Sequence, residues 1–135
     1  DLHDRSVIAS ITDLNITSDL AIRTLRKALE SQSAIKEGLI LHSDQGSQYT
    51  SKAFIEFCKS VHVTQSMSKA GYPYDNAPME RYFNTLKNEC TNLYEFTTEE
   101  ALYQKVEEFA YVDYNHVRPH SFNGYRTPYE ARMAA

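Results

Sequence analysis

The spacing of apolar and polar positions changes several times along this chain. "SVIASITD", Ser6 to Asp13, is rich in Val and Ile and predicts a strand. From Thr17 to Glu30, Leu20, Ala21, Leu25, Ala28 and Leu29 recur at helical spacing behind a Thr17 or Ser18 cap. "GLILHS", Gly38 to Ser43, is a short apolar run without alternation, the pattern of a strand buried on both faces. Ser51 to Val61 predicts a second helix, capped by Thr50 or Ser51, and His62 to Met67 a third strand. Gly71, Pro73, Asp75, Asn76 and Pro78 mark a loop. Asn76 can cap the helix predicted from Met79 to Tyr94, and Pro78 is tolerated in a first turn. Thr97 to His116 predicts a further helix, with a capping box from Thr97 or Thr98 to Glu100. The tail from Arg118 is irregular and ends in a short helical turn.

This order predicts an α/β domain with a partly parallel sheet. Sites in such sheets lie beyond the carboxyl ends of the strands. Asp44 follows the "LILH" run directly, between it and a Gly/Ser/Gln turn.

Composition narrows the picture. A length of 135 residues bounds one domain, and 41% hydrophobic content is ordinary for a globular chain. No run approaches the ~18 apolar residues of a membrane span. The first residues carry Asp1, Asp4, Arg5 and Asp13 and no signal-peptide core. The chain opens on a polar stretch without Met, so a piece of something longer is expected. Cys58 and Cys90 lack zinc-site spacing, and Cys58 is expected as a buried helical residue, as in a reducing compartment. The net charge of −4 argues against a free-standing nucleic-acid binder. If the domain handles DNA, another region supplies much of the affinity.

Asp44 alone is a common turn residue. Glu80 adds a second acid early in the helix after the loop, with Asn84 and Lys87 at i+4 and i+7 on the same stripe. That stripe also reads as a solvated face. Thirty-five residues separate Asp44 from Glu80. Mg²⁺ takes oxygen ligands from a few carboxylates and substrate phosphates, and a metal pair assists phosphoryl transfer. One acid at a strand end and one on a facing helix would suit that chemistry.

"HSDQGSQYTS", "YDNAPMERYFNTLKNE" and "YNHVRPHSFNGYRTPYEA" together resemble the catalytic core of IS3-family insertion-sequence transposases, of the retroviral-integrase group of DDE recombinases. The resemblance runs over nearly the whole chain. It implies a ribonuclease-H-like fold and Mg²⁺- or Mn²⁺-dependent cleavage and transfer of DNA strands. It assigns Asp44 and Glu80 as the second and third acids of the triad, both metal ligands. It assigns Lys87 to the transposon-end DNA, with Asn84 in support. Lys69, Tyr72 and Tyr74, in a loop expected to fold over the substrate, are candidate DNA contacts, although the tyrosines equally read as loop packing.

The resemblance places the first acid on a strand ahead of this chain, which is therefore expected to lack the first strand and to be inactive alone. Asp1, Asp4 or Asp13 would substitute only in a rearranged fold. A missing central strand leaves open edges, so self-association is expected. The other implied partners are transposon-end and target DNA and an upstream helix-turn-helix region. The implied location is the bacterial cytoplasm, at the nucleoid, with no membrane. The tail, with Arg118, His120 and Arg126, reads either as a DNA-facing strip or as a packed cap. His116 and His120 are a poor zinc pair because Pro119 interrupts the helix between them. Two alternatives remain: a nuclease of the same fold, which would not need the Lys87 feature or the "RPH" tail, and a non-catalytic DNA- or partner-binding remnant.

Overall fold

The structure is a computed structural model that describes residues 1–34 and 37–135. It divides into two compact units, Asp13–Glu80 and a second made of Asp1–Thr12 with Arg81–Ala135.

The unit of residues 13–80 is a small parallel sheet with helices packed on it. Helix α1, Ser18–Glu30, starts where Thr17 accepts the Leu20 N–H. Strand β1 is Ile40–Ser43, followed by the single-turn α2, Ser47–Thr50, and by α3, Lys52–Ser60. Ser51 caps α3 by accepting the Phe54 N–H at 3.2 Å. Strand β2, Thr64–Met67, lies parallel to β1, with Ile40 opposite Thr64 and Ser43 opposite Met67. A turn of 3₁₀ helix, Pro73–Asn76, leads into α4, Ala77–Glu89. Leu25, Phe54, Cys58 and Val63 form the core, with Leu41 and Tyr49 packed against it. Leu41 therefore points at the helices.

The other unit is held by α5, Glu99–Glu108, its π-helical continuation Phe109–Val117, and α6, Pro128–Met133. Cys90, Phe109 and Tyr114 form its core, against Val7, Tyr82 and Leu86. Both cysteines are buried, free thiols.

The expected α/β class with a parallel sheet is present, in reduced form. The expected strand from Ser6 to Asp13 is not there. Residues 6–12 take no regular secondary structure. A strand exists only beside a neighbour, and here side chains take that place. Asn115 accepts the Val7 N–H at 2.8 Å and donates to the Val7 carbonyl at 2.9 Å. The Tyr111 hydroxyl accepts the Ser10 N–H at 2.8 Å. The run expected to be buried on both faces is also corrected, because Ile40 is 63% exposed. With one partner strand and one packed face, half of β1 meets solvent. The strand expected from His62 starts at Thr64, since His62 has φ +58, outside strand geometry.

The expected capping box at Glu100 does not form. Thr98 rather than Thr97 is the cap, accepting from Ala101, so the third helical position holds no acid. The reciprocal box sits at α6 instead: Thr127 accepts the Glu130 N–H at 3.1 Å, and Glu130 accepts the Thr127 N–H at 2.8 Å. Thr127→Ala is expected to cost about 1 kcal/mol in chemical denaturation.

Asp4, 2% exposed, is the buried charge of this unit. Ser6 donates to it through its N–H and hydroxyl, and Arg132 through Nη1 at 3.0 Å. Burial alone would raise its pKa, but Ser6 and Arg132 outweigh that and hold it below the ordinary 3.8. A lowered carboxyl stabilises the fold above its unfolded pKa and stops doing so as pH falls through its folded value. Melting temperature should therefore drop on acidification from about pH 4 to about pH 2. Asp4→Asn, less stable throughout, should show a shallower drop.

Candidate functional site

Asp44 follows the last residue of β1, at the carboxyl end of a parallel strand. Its Oδ1 accepts the Gly46 N–H at 2.8 Å, closing the turn that leads into α2. An added Cβ at Gly46 would fall 2.6 Å from Gln48 Oε1, so the turn is tight against a flexible side chain. The Asp44 side is open to solvent. Burial first, and the Asp44 charge second, push the Tyr49 phenol up, which places that phenol within reach of the carboxylate's field.

Glu80 is in the first turn of α4 and is exposed. Its charge suits the positive end of the helix dipole. Asn84 and Lys87 follow on the same stripe of α4, and both are exposed. The division between the two units falls just after Glu80, so Asp44 and Glu80 belong to one unit and Asn84 and Lys87 to the other.

The loop before α4 folds on itself. The Lys69 N–H donates to Asp75 at 3.2 Å, and the Tyr72 N–H to the Lys69 carbonyl at 3.1 Å, around Gly71 at φ +79. Tyr72 and Tyr74 are 60% and 87% exposed, so packing does not explain their rings.

A further tie escapes a reading by motif. His42, two residues before Asp44, contacts the Ser66 hydroxyl through Nδ1 at 2.9 Å and the Ser68 hydroxyl through Nε2 at 3.0 Å. Ser68, 6% exposed, also donates its N–H to the Ser43 carbonyl and accepts from Gln45 Nε2. The loop base is thus fastened to the residues on both sides of Asp44. Ser66 pairs opposite His42 in the sheet, and Ser68 follows two positions on, just past the end of β2, so the tie is set by the register of the two strands.

Among the described residues no ion pair joins Asp44, Glu80 and Lys87. No three His, Cys, Asp or Glu side chains gather there as a metal site. Asp44 and Glu80 are two solvent-facing carboxylates, the oxygen donors a hard divalent cation takes. By donor chemistry, each is of the type that supplies a ligand to such an ion.

The family described as integrase core domain matches residues 1–73, and a second description of that domain matches residues 61–128. The chain belongs to the integrase core family. It is 43% identical over 91 residues to the transposase for insertion sequence element IS904 of Lactococcus lactis, covering 67% of this chain and 36% of that protein. It is 34% identical over 128 residues to transposase InsF for insertion sequence IS3A of Escherichia coli, covering 95% of this chain and 44% of the relative. This integrase core chain therefore spans less than half the length of these relatives. Its fold is similar to the catalytic core domain of BIV integrase, with TM-score 0.61 at 20% identity over 97% of this chain and 80% of that one. It is also similar to a chain of the simian T-cell lymphotropic virus intasome in complex with PP2A regulatory subunit B56 gamma. There the TM-score is 0.71 at 18% identity, over 91% of this chain and 42% of that chain. At these identities the likeness concerns the fold, which is that of the integrase catalytic core, ribonuclease-H-like with a small sheet.

Proposed function

We propose that this integrase core chain is part of a transposase that cuts DNA at the ends of an insertion sequence and joins the ends to new DNA. The supporting observation is an acid, Asp44, at the carboxyl end of a parallel strand, with Glu80, a residue of the same unit, in the first turn of α4, in a chain of the integrase core family. In this reading both carboxylates hold Mg²⁺ or Mn²⁺. When bound, the metal pair supplies Lewis-acid stabilisation of the oxygens that attack and leave phosphorus. The remaining ligands come from outside these residues, so the 135-residue chain is inactive by itself. The working location is the bacterial cytoplasm; among the described residues no helix is long and apolar enough to cross a membrane. Self-association and an upstream DNA-recognition region complete the proposed assembly.

The chain's own groups orient the DNA. Lys87, a point charge two turns from Glu80, meets a phosphate, and Asn84 donates beside it. Lys69, Tyr72 and Tyr74 present a cation and two rings from a loop whose base His42 and Gln45 fasten. Lys87→Ala should weaken binding to all duplex sequences alike and lower the log–log salt slope by about one. Fluorescence anisotropy across salt concentrations checks this. A slope equal to that of the unaltered chain would remove Lys87 from the interface.

A second reading, a non-catalytic DNA- or partner-binding module, is favoured by one observation: among the described residues no three His, Cys, Asp or Glu side chains are grouped to hold a metal ion. Mn²⁺-dependent strand joining on DNA carrying the element's ends separates the two. The proteins compared are this chain and a version carried on to the length of its relatives. Joining by the longer protein, lost on Glu80→Gln, supports the enzyme. No joining by either supports the module.

A further inference from the structure

We propose that residues 120–126, together with Arg5, form a contact surface for unpaired DNA nucleotides, with the rings of Phe122 and Tyr125 as stacking platforms. The proposal rests on the DNA reading above but requires neither metal nor catalysis.

Charge is the first support. From residue 114 through residue 129 the chain holds no Asp or Glu, but two Arg, two His and four aromatic residues. In a chain of net charge −4, that is a local reversal of sign. The field registers on His120. Burial first, then the charges of Arg118, Arg5 and Arg81, hold its imidazole below the ordinary 6.5. Glu89 lies among these cations, but both its oxygens are taken by Arg118, at 2.7 and 2.9 Å. Arg5 is stacked on a ring, its guanidinium carbon 3.9 Å from the Phe122 centroid.

The second support is a firmly anchored loop that turns its rings outward. His120 donates its N–H to the Arg126 carbonyl, and its own carbonyl accepts from Asn123 and Tyr125. The Asn123 amide, 7% exposed, donates to the Asp4 carbonyl at 2.7 Å. From this frame Phe122 and Tyr125 project with 58% and 76% of their surface exposed. Tyr125 does so at φ +66, beside Gly124 at φ +62. The backbone N–H of Tyr125 gains the hydrogen bond to His120 in that left-handed conformation, but its side chain gains nothing, since no burial of the ring offsets the strain. Such outliers gather at binding surfaces. Outward rings interleaved with cations match the chemistry of unstacked bases on a phosphate backbone, since every base offers a face to stack. A protein partner would also accept rings and arginines, but it would not require the exclusion of acids from sixteen successive positions.

The test uses the whole chain in metal-free buffer with chelator, read by fluorescence anisotropy on a labelled single-stranded oligonucleotide, its blunt duplex, and heparin. Tyr125→Gly is the informative variant, because glycine accepts positive φ freely. It should melt no lower than the unaltered chain yet bind the single strand about tenfold more weakly, the loss of one base–aromatic stack. Heparin, which has charge but no bases, should bind it as before. Phe122→Ala should show the same binding pattern, with a small drop in melting temperature because Arg5 loses the ring it stacks on. Arg5→Gln should lower the salt slope on the single strand by about 0.7. Unchanged single-strand binding by Tyr125→Gly overturns the proposal. So does a lower melting temperature of that variant, which would make the ring a packing element. Unchanged DNA binding with altered self-association in light scattering would reassign the surface to a protein partner. Because no arm requires metal, loss of the strand-joining reading would leave this result standing.

Discussion

Asp44→Asn, in a protein of the relatives' full length, is expected to lower Mn²⁺-dependent strand joining by on the order of 10²–10³-fold or more, with the fold intact. The magnitude is that of removing one preorganised electrostatic contact to a transition state. The substitution is discriminating because asparagine keeps an Oδ1 where the Gly46 N–H donates. The turn into α2 therefore survives, and only the charge is lost. Glu80→Gln should match it. It removes a favourable charge from the first turn of α4, worth about 0.3–1 kcal/mol in stability, which does not unfold a domain. Joining rates and melting temperatures on the same preparations check the pair. If rates fall only in proportion to lost folded protein, both acids are structural.

The second large effect concerns stability. Phe54→Ala is expected to destabilise the unit of residues 13–80 by about 3–5 kcal/mol. Phe54 is 1% exposed and sits with Leu25, Cys58 and Val63 between α1, α3 and the sheet. Its ring meets Tyr49 edge-on, with centroids 5.4 Å apart. The cavity left by alanine opens against α2, which follows the Asp44 turn, so DNA-dependent functions should fail along with stability. Urea unfolding by circular dichroism gives the number. Tyr74→Ala, at a ring 87% exposed, is the control and should stay within about 0.5 kcal/mol.

How much of this was legible in the sequence depends on the distance over which each feature is decided. Caps are settled within four residues, and Thr17 and Ser51 were readable as such. At Thr97 and Thr98 spacing left both caps open and misplaced only the box to Glu100, and the real capping box at Thr127 went unnoticed. The strand Ile40–Ser43 was readable because its apolar run is short and bounded. Residues 6–12 were not, because their composition suits a strand while their partners, Asn115 and Tyr111, come from about a hundred positions away. The π-helical turns from Phe109 to Val117 leave no periodic signature distinct from an α-helix. For the proposed site, motif and spacing supplied Asp44, Glu80 and Lys87 as candidates. The tie from His42 to Ser68 was not legible, because it needs the register of β1 against β2. Nor was the conformation of Tyr125, which looks like any aromatic after a glycine.

The central proposition is that Asp44 and Glu80 hold the same divalent ion. The most direct measurement is Mn²⁺ titration of this chain in the presence of duplex DNA, following free Mn²⁺ by electron paramagnetic resonance, for the unaltered chain, Asp44→Asn, Glu80→Gln and the double variant. The expected result is that each single variant weakens one shared class of site. The double variant should be little weaker than the poorer single one, the non-additivity of groups that act together. Losses that simply add, or a variant that binds Mn²⁺ as the unaltered chain does, would contradict a shared site.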